Sequence, residues 1–309
     1  MESQKKFTPT FSLELFPPKT ETGMERLQTT VKKLVAINPG YISVTYGAGG
    51  STQERTYETV DWLVSQGVEC APHLSCIGSS REEIDEILTR YKSQGIRRIV
   101  ALRGDLPSGA GLSGLGDLNY ANELVAQIRQ SFGDYFHIEV AAYPEFHPQA
   151  LSAEADLFNF KRKVKAGANA AITQYFFNAE AYFQFVDSCE KRGLDIPIVP
   201  GIMPITNYSS LSRFSDGCGA EIPRWIKRRL EGFGDDINSI RDFGIDVTSN
   251  LCRELLEHGA PGLHFYSMNQ SVPVLRIWEN LDLNKLSSCK NAENAKKHRV
   301  RRERCSGNL

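Results

Sequence analysis

A glutamate closes the first strand pattern of the sequence. In FSLELF, residues 11–16, apolar side chains alternate with Ser12 and Glu14, and two prolines follow. Alternation with a period of two indicates a β-strand whose successive side chains face opposite sides. A carboxyl group at the end of such a strand can donate or accept a proton in a reaction. It can equally lie in water on an exposed edge strand, and the strand by itself leaves both interpretations open.

Polar side chains also follow five later strand patterns, each at or just beyond the end of the pattern. They are Thr45, His73, Asp105, Tyr143 and Gln174. Together with Glu14 they supply carboxyl, imidazole, hydroxyl and amide groups, which bind polar ligands and transfer protons. Polar residues without a common role would be scattered over both strand ends, so this arrangement indicates one shared site.

A helical segment carries a second polar pattern. In DLFNFKRKVKAG, Asp156, Asn159, Arg162 and Lys163 stand at positions i, i+3, i+6 and i+7 and therefore share one helix face. Such a stripe usually faces solvent and contains an internal ion pair. The alternative is a face that lines a groove, where Arg162 and Lys163 would bind an anionic group such as phosphate.

Eight strand patterns alternate with helical segments along the chain. The strands are predicted at 11–16, 41–46, 68–74, 98–103, 138–143, 170–175, 196–201 and 262–267, and helices at 22–37, 53–66, 80–94, 118–132, 152–167 and 178–192. This pattern is typical of an α/β fold of the (β/α)8 TIM-barrel type, in which functional side chains lie at the C-terminal strand ends. A doubly wound sheet is the alternative, but it usually has fewer strands and a glycine-rich turn where this chain has FPPKTE.

The predicted barrel is irregular in one place, because residues 206–260 contain two or more extra helices between strands seven and eight. No break in composition divides residues 1–283, which we interpret as one domain. Residues 284–309 form a basic tail with eight Lys or Arg against two Glu. We expect this tail to be disordered and solvated. A nucleic-acid contact is the alternative, but the tail lacks interleaved aromatic residues.

The composition is that of an ordinary globular protein, with 41% hydrophobic residues and a net charge of −1. We expect a cytoplasmic protein without membrane contact, because no apolar run approaches the ~20 residues of a membrane span and the N-terminus lacks a secretion signal. We expect no metal, since the six histidines do not cluster with cysteine or carboxylate. The GxGxxG match at 109–114 does not directly follow a strand, and we interpret it as a flexible loop.

Six motifs together resemble one family. FSLELFPPK, SVTYGAGGS, APHLSC, IRRIVALRGDLP, VAAYPEFHP and DLFNFKRKVKAGANAAITQYFF are similar to motifs of methylenetetrahydrofolate reductases, in unbroken order over about residues 11–280. The resemblance implies a (β/α)8 barrel that holds FAD without a covalent bond. It also implies ping-pong reduction of methylenetetrahydrofolate to methyltetrahydrofolate by NADH or NADPH, which supplies methyl groups for methionine synthesis. We expect a homo-oligomer.

The resemblance also implies roles for the polar residues. Glu14 becomes the acid that protonates the folate when its five-membered ring opens to an iminium, and we expect desolvation in an apolar mouth to keep it protonated. Asp105 is expected near the folate and the flavin, where its charge stabilises the iminium cation. The expected substrate-binding residues are Thr45, Asp105, Gln174 and Phe214. The expected FAD-binding residues are Thr45, Tyr46, Ala48, His73, Arg103, Gly104, Asp105, Tyr120, Ala121, Tyr143, His147, Ala150, Asp156, Asn159, Arg162 and Lys163.

The chain departs from the family pattern at two positions. Ser210 stands where a substrate-contacting glutamine is expected, and Gln270 stands where an arginine is expected to bind the glutamate tail of folate. Loss of an arginine–carboxylate pair would weaken folate binding by ~1–3 kcal/mol. The extra C-terminal domain of larger family members, which binds S-adenosylmethionine, is not expected here.

Two other classes of function remain open on the sequence alone. A flavin-free barrel could bind folate and transfer one-carbon units, and a colourless purified protein would indicate this class. A non-enzymatic binding module could act through the RGD tripeptide at 103–105 or through the basic tail. In that case a change at Glu14 would have no effect on partner binding.

Overall fold

The structure is a computed structural model that describes residues 1–46, 50–104 and 116–283, with the backbone alone described for 50–52. Its strands are β1 (Thr10–Leu15), β2 (Tyr41–Val44), β3 (Cys70–Ser75), β4 (Arg98–Leu102), β5 (His137–Ala142), β6 (Ala170–Thr173), β7 (Ile198–Val199), β8 (Gly201–Ile202) and β9 (Gly262–Tyr266). Its helices are α1 (Glu2–Lys5), α2 (Glu21–Val35), α3 (Gly50–Ser65), α4 (Arg81–Ser93), α5 (Ala121–Phe132), α6 (Ala153–Lys165), α7 (Ala179–Glu190), α8 (Tyr208–Cys218), α9 (Arg224–Gly232), α10 (Ile237–Glu257) and α11 (Ser271–Asn280).

The described strands form a parallel barrel. β1 pairs with β2 on one side and with β9 on the other, and the strands from β2 to β7 pair in chain order. β7 and β8 are two parts of one barrel strand, because β7 pairs with β6 and β8 pairs with β9. Pro200 separates the two parts; it has no backbone N–H, but its carbonyl accepts a hydrogen bond from the His264 N–H at 3.0 Å. The predicted seventh strand is therefore present but interrupted.

The predicted (β/α)8 barrel with extra helices is confirmed. The extra helices are α8, α9 and α10, which lie between β8 and β9. The helix predicted at 118–132 begins only at Ala121, because Tyr120 is extended and its N–H is capped by the Glu123 side chain at 3.2 Å. The predicted division into one domain and a tail stays a prediction, and residues 284–309 lie outside the described residues.

Polar residues fix where many of the helices begin. A side-chain oxygen of each N-cap residue accepts a hydrogen bond from a backbone N–H in the first turn; these residues are Thr20, Ser80, Ser152, Asn178, Asn207 and Asp236. Such caps satisfy N–H groups that have no partner inside the helix. The caps therefore help to set the loops at the C-terminal ends of the strands, where β/α loops carry functional residues.

A second small core holds the extra helices over the barrel. It contains Tyr175, Phe177, Ile205, Leu211, Ala220, Ile226, Leu230 and Ile240, which are all buried. Gly244 of α10 packs against the segment after β8, where an added Cβ would lie 2.2 Å from the Ile205 carbonyl oxygen. This close approach requires glycine, and it helps to position α8 at the barrel mouth. Within the described ranges, none of the helices has the length and apolar character needed to cross a membrane.

Candidate active site

A cavity of about 540 Å³, here called the mouth cavity, opens at the C-terminal ends of the strands. The parallel barrel directs these ends toward one opening, so residues far apart in sequence meet there. The predicted site residues in its wall are Glu14, Thr45, Tyr46, His73, Gly104, Tyr143, Gln174 and Phe214. The structure thus brings together five of the six polar side chains that follow strand patterns.

A second cavity of about 370 Å³, here called the lateral cavity, extends from the mouth toward α5 and α6. The predicted FAD-binding residues in its wall are Arg103, Gly104, Tyr120, Ala121, Tyr143, His147, Ala150, Asp156, Asn159 and Lys163. Leu102, Gly104, Ala141 and Tyr143 line both cavities. The two cavities therefore adjoin and form one elongated groove.

Gly104 lies where the two cavities meet, directly after β4. Its φ angle is +84°, and an added Cβ would lie 1.8 Å from the Ser75 hydroxyl oxygen. That hydroxyl donates a hydrogen bond to the Arg103 carbonyl at 2.9 Å, so the chain after β4 is held against the end of β3. A residue with a side chain would meet both a left-handed backbone and a steric clash here.

Glu14 lies in the mouth cavity between two imidazole rings. Its Oε2 atom is 3.3 Å from Nε2 of His73 and 3.6 Å from Nε2 of His264, and its side chain is 18% exposed. Burial lowers the pKa of His73, although the Glu14 charge opposes this shift, so the ring is mainly neutral near neutral pH. The expectation of an apolar mouth is therefore wrong at this residue, because the sequence pattern did not show that histidines of β3 and β9 would converge on β1.

The lateral cavity contains a half-buried lysine. Nζ of Lys163 donates a hydrogen bond to the Ala141 carbonyl at 2.5 Å. Burial lowers the pKa of Lys163 to about 8, against the opposing charge of Asp156. Asp156 also accepts a hydrogen bond from the His147 N–H at 3.0 Å. The polar stripe of α6 therefore faces a groove at Asp156, Asn159 and Lys163, as the alternative interpretation predicted.

Arg162 differs from the adjacent Lys163 in its exposure to solvent. It is exposed and does not line either cavity, but its guanidinium carbon lies 6.0 Å from the centroid of the Tyr120 ring. Arg103 approaches the same ring at 5.9 Å, and its Nη1 donates a hydrogen bond to Gln149 at 3.0 Å. The rim of the lateral cavity thus combines two guanidinium groups with an aromatic ring that is 52% exposed.

The extra helices complete the mouth cavity. Phe214 projects from α8 and is 38% exposed, whereas Gln174 follows β6 and accepts a hydrogen bond from the Tyr175 N–H at 3.0 Å. Ser210 and Gln270 do not line either cavity. The Ser210 N–H binds the Asn207 cap at 2.8 Å, and Gln270 is an exposed residue before α11.

Two predicted site residues, Ala48 and Asp105, lie outside the described residues. Sequence reasoning missed several residues that the structure adds to the mouth cavity: Ser75, Tyr175, Met203, Cys218, Tyr266 and Met268. It also missed His264, although a signal was present, because alternation in GLHFYS puts this histidine on the same side as Tyr266. The described parts of the chain contain no group of three or more His, Cys, Asp or Glu able to hold a metal ion.

The fold and the site define a (β/α)8-barrel protein with a carboxyl group in its mouth and a cation-lined groove beside it. Residues 1–282 match the family model of methylenetetrahydrofolate reductase. The chain is 41% identical over 261 residues to 5,10-methylenetetrahydrofolate reductase of Salmonella typhimurium, covering 84% of this chain and 86% of that protein. It belongs to the methylenetetrahydrofolate reductase family, which confirms the resemblance of the six motifs.

The chain is also similar to a plant protein and to a protein of known structure. It is 39% identical over 285 residues to methylenetetrahydrofolate reductase (NADH) 1 of Zea mays, covering 88% of this chain and 48% of that protein. An uncharacterized protein from Clostridium thermocellum that binds two copies of 5-methyl-5,6,7,8-tetrahydrofolic acid has a similar solved structure, with a TM-score of 0.65 and 17% identity over 92% of this chain and 98% of that one. At that identity the similarity concerns the fold.

Proposed function

We propose that this protein reduces methylenetetrahydrofolate to methyltetrahydrofolate, with NADH or NADPH as the electron donor and FAD as the resident cofactor. The observation that carries the proposal is the position of Glu14, whose carboxyl group opens into a mouth cavity next to a cation-lined groove. Family membership supports the reaction, and this arrangement supports the assignment of Glu14 as proton donor and of the lateral cavity as cofactor groove.

The groove fits the chemistry of FAD. Its elongated shape suits a dinucleotide, Arg103 and Lys163 offer cations for a pyrophosphate, and the exposed ring of Tyr120 offers a stacking surface. Arg162 at the rim adds a further cation for the phosphates. When bound, FAD would carry electrons from the nicotinamide to the folate. Asp105 and Ala48 belong to the same proposed site.

Glu14 would act as the general acid. Reduction requires the five-membered ring of the folate to open, and the leaving nitrogen, N10, must take up a proton. The O–H bond of Glu14 breaks as the N–H bond forms on N10, the bond from N10 to the methylene carbon breaks, and the N5 lone pair forms the iminium with that carbon. Neither of the two neighbouring histidines is required to be charged for this transfer.

Gln174, Phe214 and Thr45 would contact whichever substrate occupies the mouth cavity. The mouth cavity of about 540 Å³ adjoins the proposed cofactor groove, which supports ping-pong kinetics, in which the nicotinamide leaves this cavity before the folate enters it. A cytoplasmic homo-oligomer that supplies methyl groups for methionine synthesis is part of the same proposal.

An anaerobic experiment tests this function. The purified protein should be yellow, NADH or NADPH should bleach the flavin, and added methylenetetrahydrofolate should restore the colour. A colourless protein that releases no FAD on denaturation, but still binds folate, would contradict the proposal and indicate a flavin-free one-carbon transferase.

A further inference from the structure

Ser12 lies at the centre of a polar layer inside the barrel. The strand register places it beside Tyr41 of β2 and beside His264 of β9. All three side chains are buried, and the rings of Tyr41 and His264 stack with their centroids 6.2 Å apart. Because water does not reach this layer, each polar atom needs a partner inside the barrel.

A series of hydrogen bonds runs through the layer. Nη1 of Arg98 donates to Oε1 of Glu139 at 2.6 Å, and the Tyr41 hydroxyl donates to Oε2 of the same carboxylate at 2.7 Å. Oγ of Ser12 lies 2.8 Å from Nδ1 of His264. We call this set the barrel chain; it consists of Arg98, Glu139, Tyr41, Ser12 and His264.

The direction of the hydrogen bonds follows from the groups at the Glu139 end. Burial and the Glu139 charge raise the pKa of Tyr41 well above its usual range, whereas Ser12, which lies beside Tyr41 in the strand register, opposes the rise by donating to its oxygen. Tyr41 therefore keeps its proton, directs it at Glu139, and can only accept from Ser12. Ser12 has one hydrogen, so its oxygen must accept from His264. A neutral imidazole that donates from Nδ1 has an unprotonated Nε2.

The unprotonated Nε2 of His264 faces Glu14, the proposed general acid. Nε2 of His264 lies 3.6 Å from Oε2 of Glu14, is buried, and has no hydrogen-bond partner among the described residues. The distance is longer than a hydrogen bond, as is often found in catalytic pairs before the substrate binds. Among the described residues, the other titratable groups facing this carboxyl are His73 and Tyr266, and both are neutral because burial lowers the pKa of His73 and raises that of Tyr266.

We propose that the barrel chain fixes the His264 tautomer with its proton on Nδ1, so that Nε2 accepts a hydrogen bond from the protonated Glu14 carboxyl group. His264 is then a positioning residue, and the proposal rests on the proposed function through the acid role of Glu14. A hydrogen bond to the neutral acid stabilises that form. After Glu14 gives its proton to N10 of the folate, the carboxylate faces a lone pair, which favours proton uptake from water before the next turnover.

The His264 tautomer can be measured without any reaction. Long-range ¹H–¹⁵N NMR of the uniformly labelled protein distinguishes the two neutral tautomers, and His264→Gln identifies the His264 signals by their loss. We expect the Nδ1–H tautomer near neutral pH. An Nε2–H tautomer or a doubly protonated ring would overturn the barrel chain, whether or not the protein reduces folate.

Matched serine variants test the effect on Glu14. Ser12→Ala removes the acceptor for Nδ1–H, so folate reduction should slow about three- to tenfold, the range for one lost hydrogen bond. The alkaline limb of its pH–rate profile should move to lower pH, while flavin reduction by the nicotinamide stays unchanged. Ser43→Ala is the control, because Ser43 is also buried and its hydroxyl has no partner among the described residues. If Ser12→Ala behaves like Ser43→Ala, or slows both half-reactions equally, the proposal is wrong.

Discussion

Oε2 of Glu14 lies 3.3 Å from Nε2 of His73 in the barrel mouth. A charged histidine at this distance would hold the carboxyl group as a carboxylate and oppose its use as an acid. Burial lowers the pKa of His73, however, and this effect exceeds the opposing effect of Glu14. Near neutral pH the contact therefore joins a carboxyl group to a mainly neutral ring, which is compatible with a proton donor.

Replacement of the Glu14 carboxyl group tests its proposed role as the general acid. Glu14→Gln should slow reduction of the folate by at least ~100-fold, the lower range of general acid effects. Flavin reduction by the nicotinamide needs no such proton and should remain near normal, as measured by stopped-flow absorbance. Glu21→Gln, at a carboxylate that is 79% exposed, is the control. Equal damage to both half-reactions by Glu14→Gln would argue against the acid role.

The half-buried Lys163 of the lateral cavity predicts a pH dependence of cofactor binding. The pKa of Lys163 is lowered to about 8, so the free protein loses this charge as pH rises through that value, whereas a phosphate-bound lysine keeps it. The FAD dissociation constant should therefore increase above about pH 8. Lys163→Met should weaken binding and remove this dependence, whereas Lys165→Met, exposed on the same helix, should retain it. Fluorescence titration of each apoprotein with FAD at several pH values measures the dissociation constant and its pH dependence.

The lowered pKa of Lys163 has the opposite effect on folding: the stability of the apoprotein should increase with pH. Between about pH 8 and the ordinary value of 10.5, the unfolded chain holds a proton on Lys163 that the folded chain has released. The apoprotein should therefore gain stability as pH rises through this window, relative to Lys163→Met. Urea unfolding of both proteins at several pH values checks the sign.

Arg162 provides a separate test of the cofactor groove. A guanidinium on phosphate makes charge-assisted hydrogen bonds, so Arg162→Ala should raise the FAD dissociation constant about tenfold or more. The variant should fold normally, purify with less flavin, and regain activity when FAD is added. Full flavin content after dialysis would show that this exposed arginine does not hold the cofactor.

The ion pair between Arg98 and Glu139, at one end of the barrel chain, should be critical for stability. Nη1 of Arg98 lies 2.6 Å from Glu139, whose side chain is 3% exposed. Arg98→Met leaves that carboxylate without its cation and should cost ~3–5 kcal/mol of unfolding free energy. Arg276→Met breaks the exposed pair with Asp242, also at 2.6 Å, and should cost at most ~1 kcal/mol. Similar midpoints of thermal unfolding for the two variants would contradict this prediction.

Gly104 should be required where the two cavities meet. Gly104→Ala places a side chain in a left-handed backbone and against Ser75, and should destabilise the protein by ~1–3 kcal/mol while weakening FAD binding. Gly232→Ala is the control, because a Cβ there meets no described atom within 4 Å and helix propensity favours alanine by ~1 kcal/mol. Calorimetry should therefore show opposite shifts for the two variants.

Local patterns in the sequence determined much of this protein. The period of two put Ser12 and Glu14 on one face of β1, and the spacing on α6 put Asp156, Asn159 and Lys163 on one face. Alternation of strands with helices predicted the barrel, and the barrel predicted that the strand ends would meet. The strand and helix patterns behind these predictions depend on neighbours within a few residues, which is why the sequence alone could reveal them.

Only the tertiary structure decided which side chains meet inside the barrel. The register sets Ser12 between Tyr41 and His264, which are 29 residues later and 252 residues later in the chain. The fold also separates Lys163, which reaches the Ala141 carbonyl, from the adjacent Arg162, which is exposed. Strand register and barrel closure depend on packing between distant segments, and no pattern within one segment contains that information.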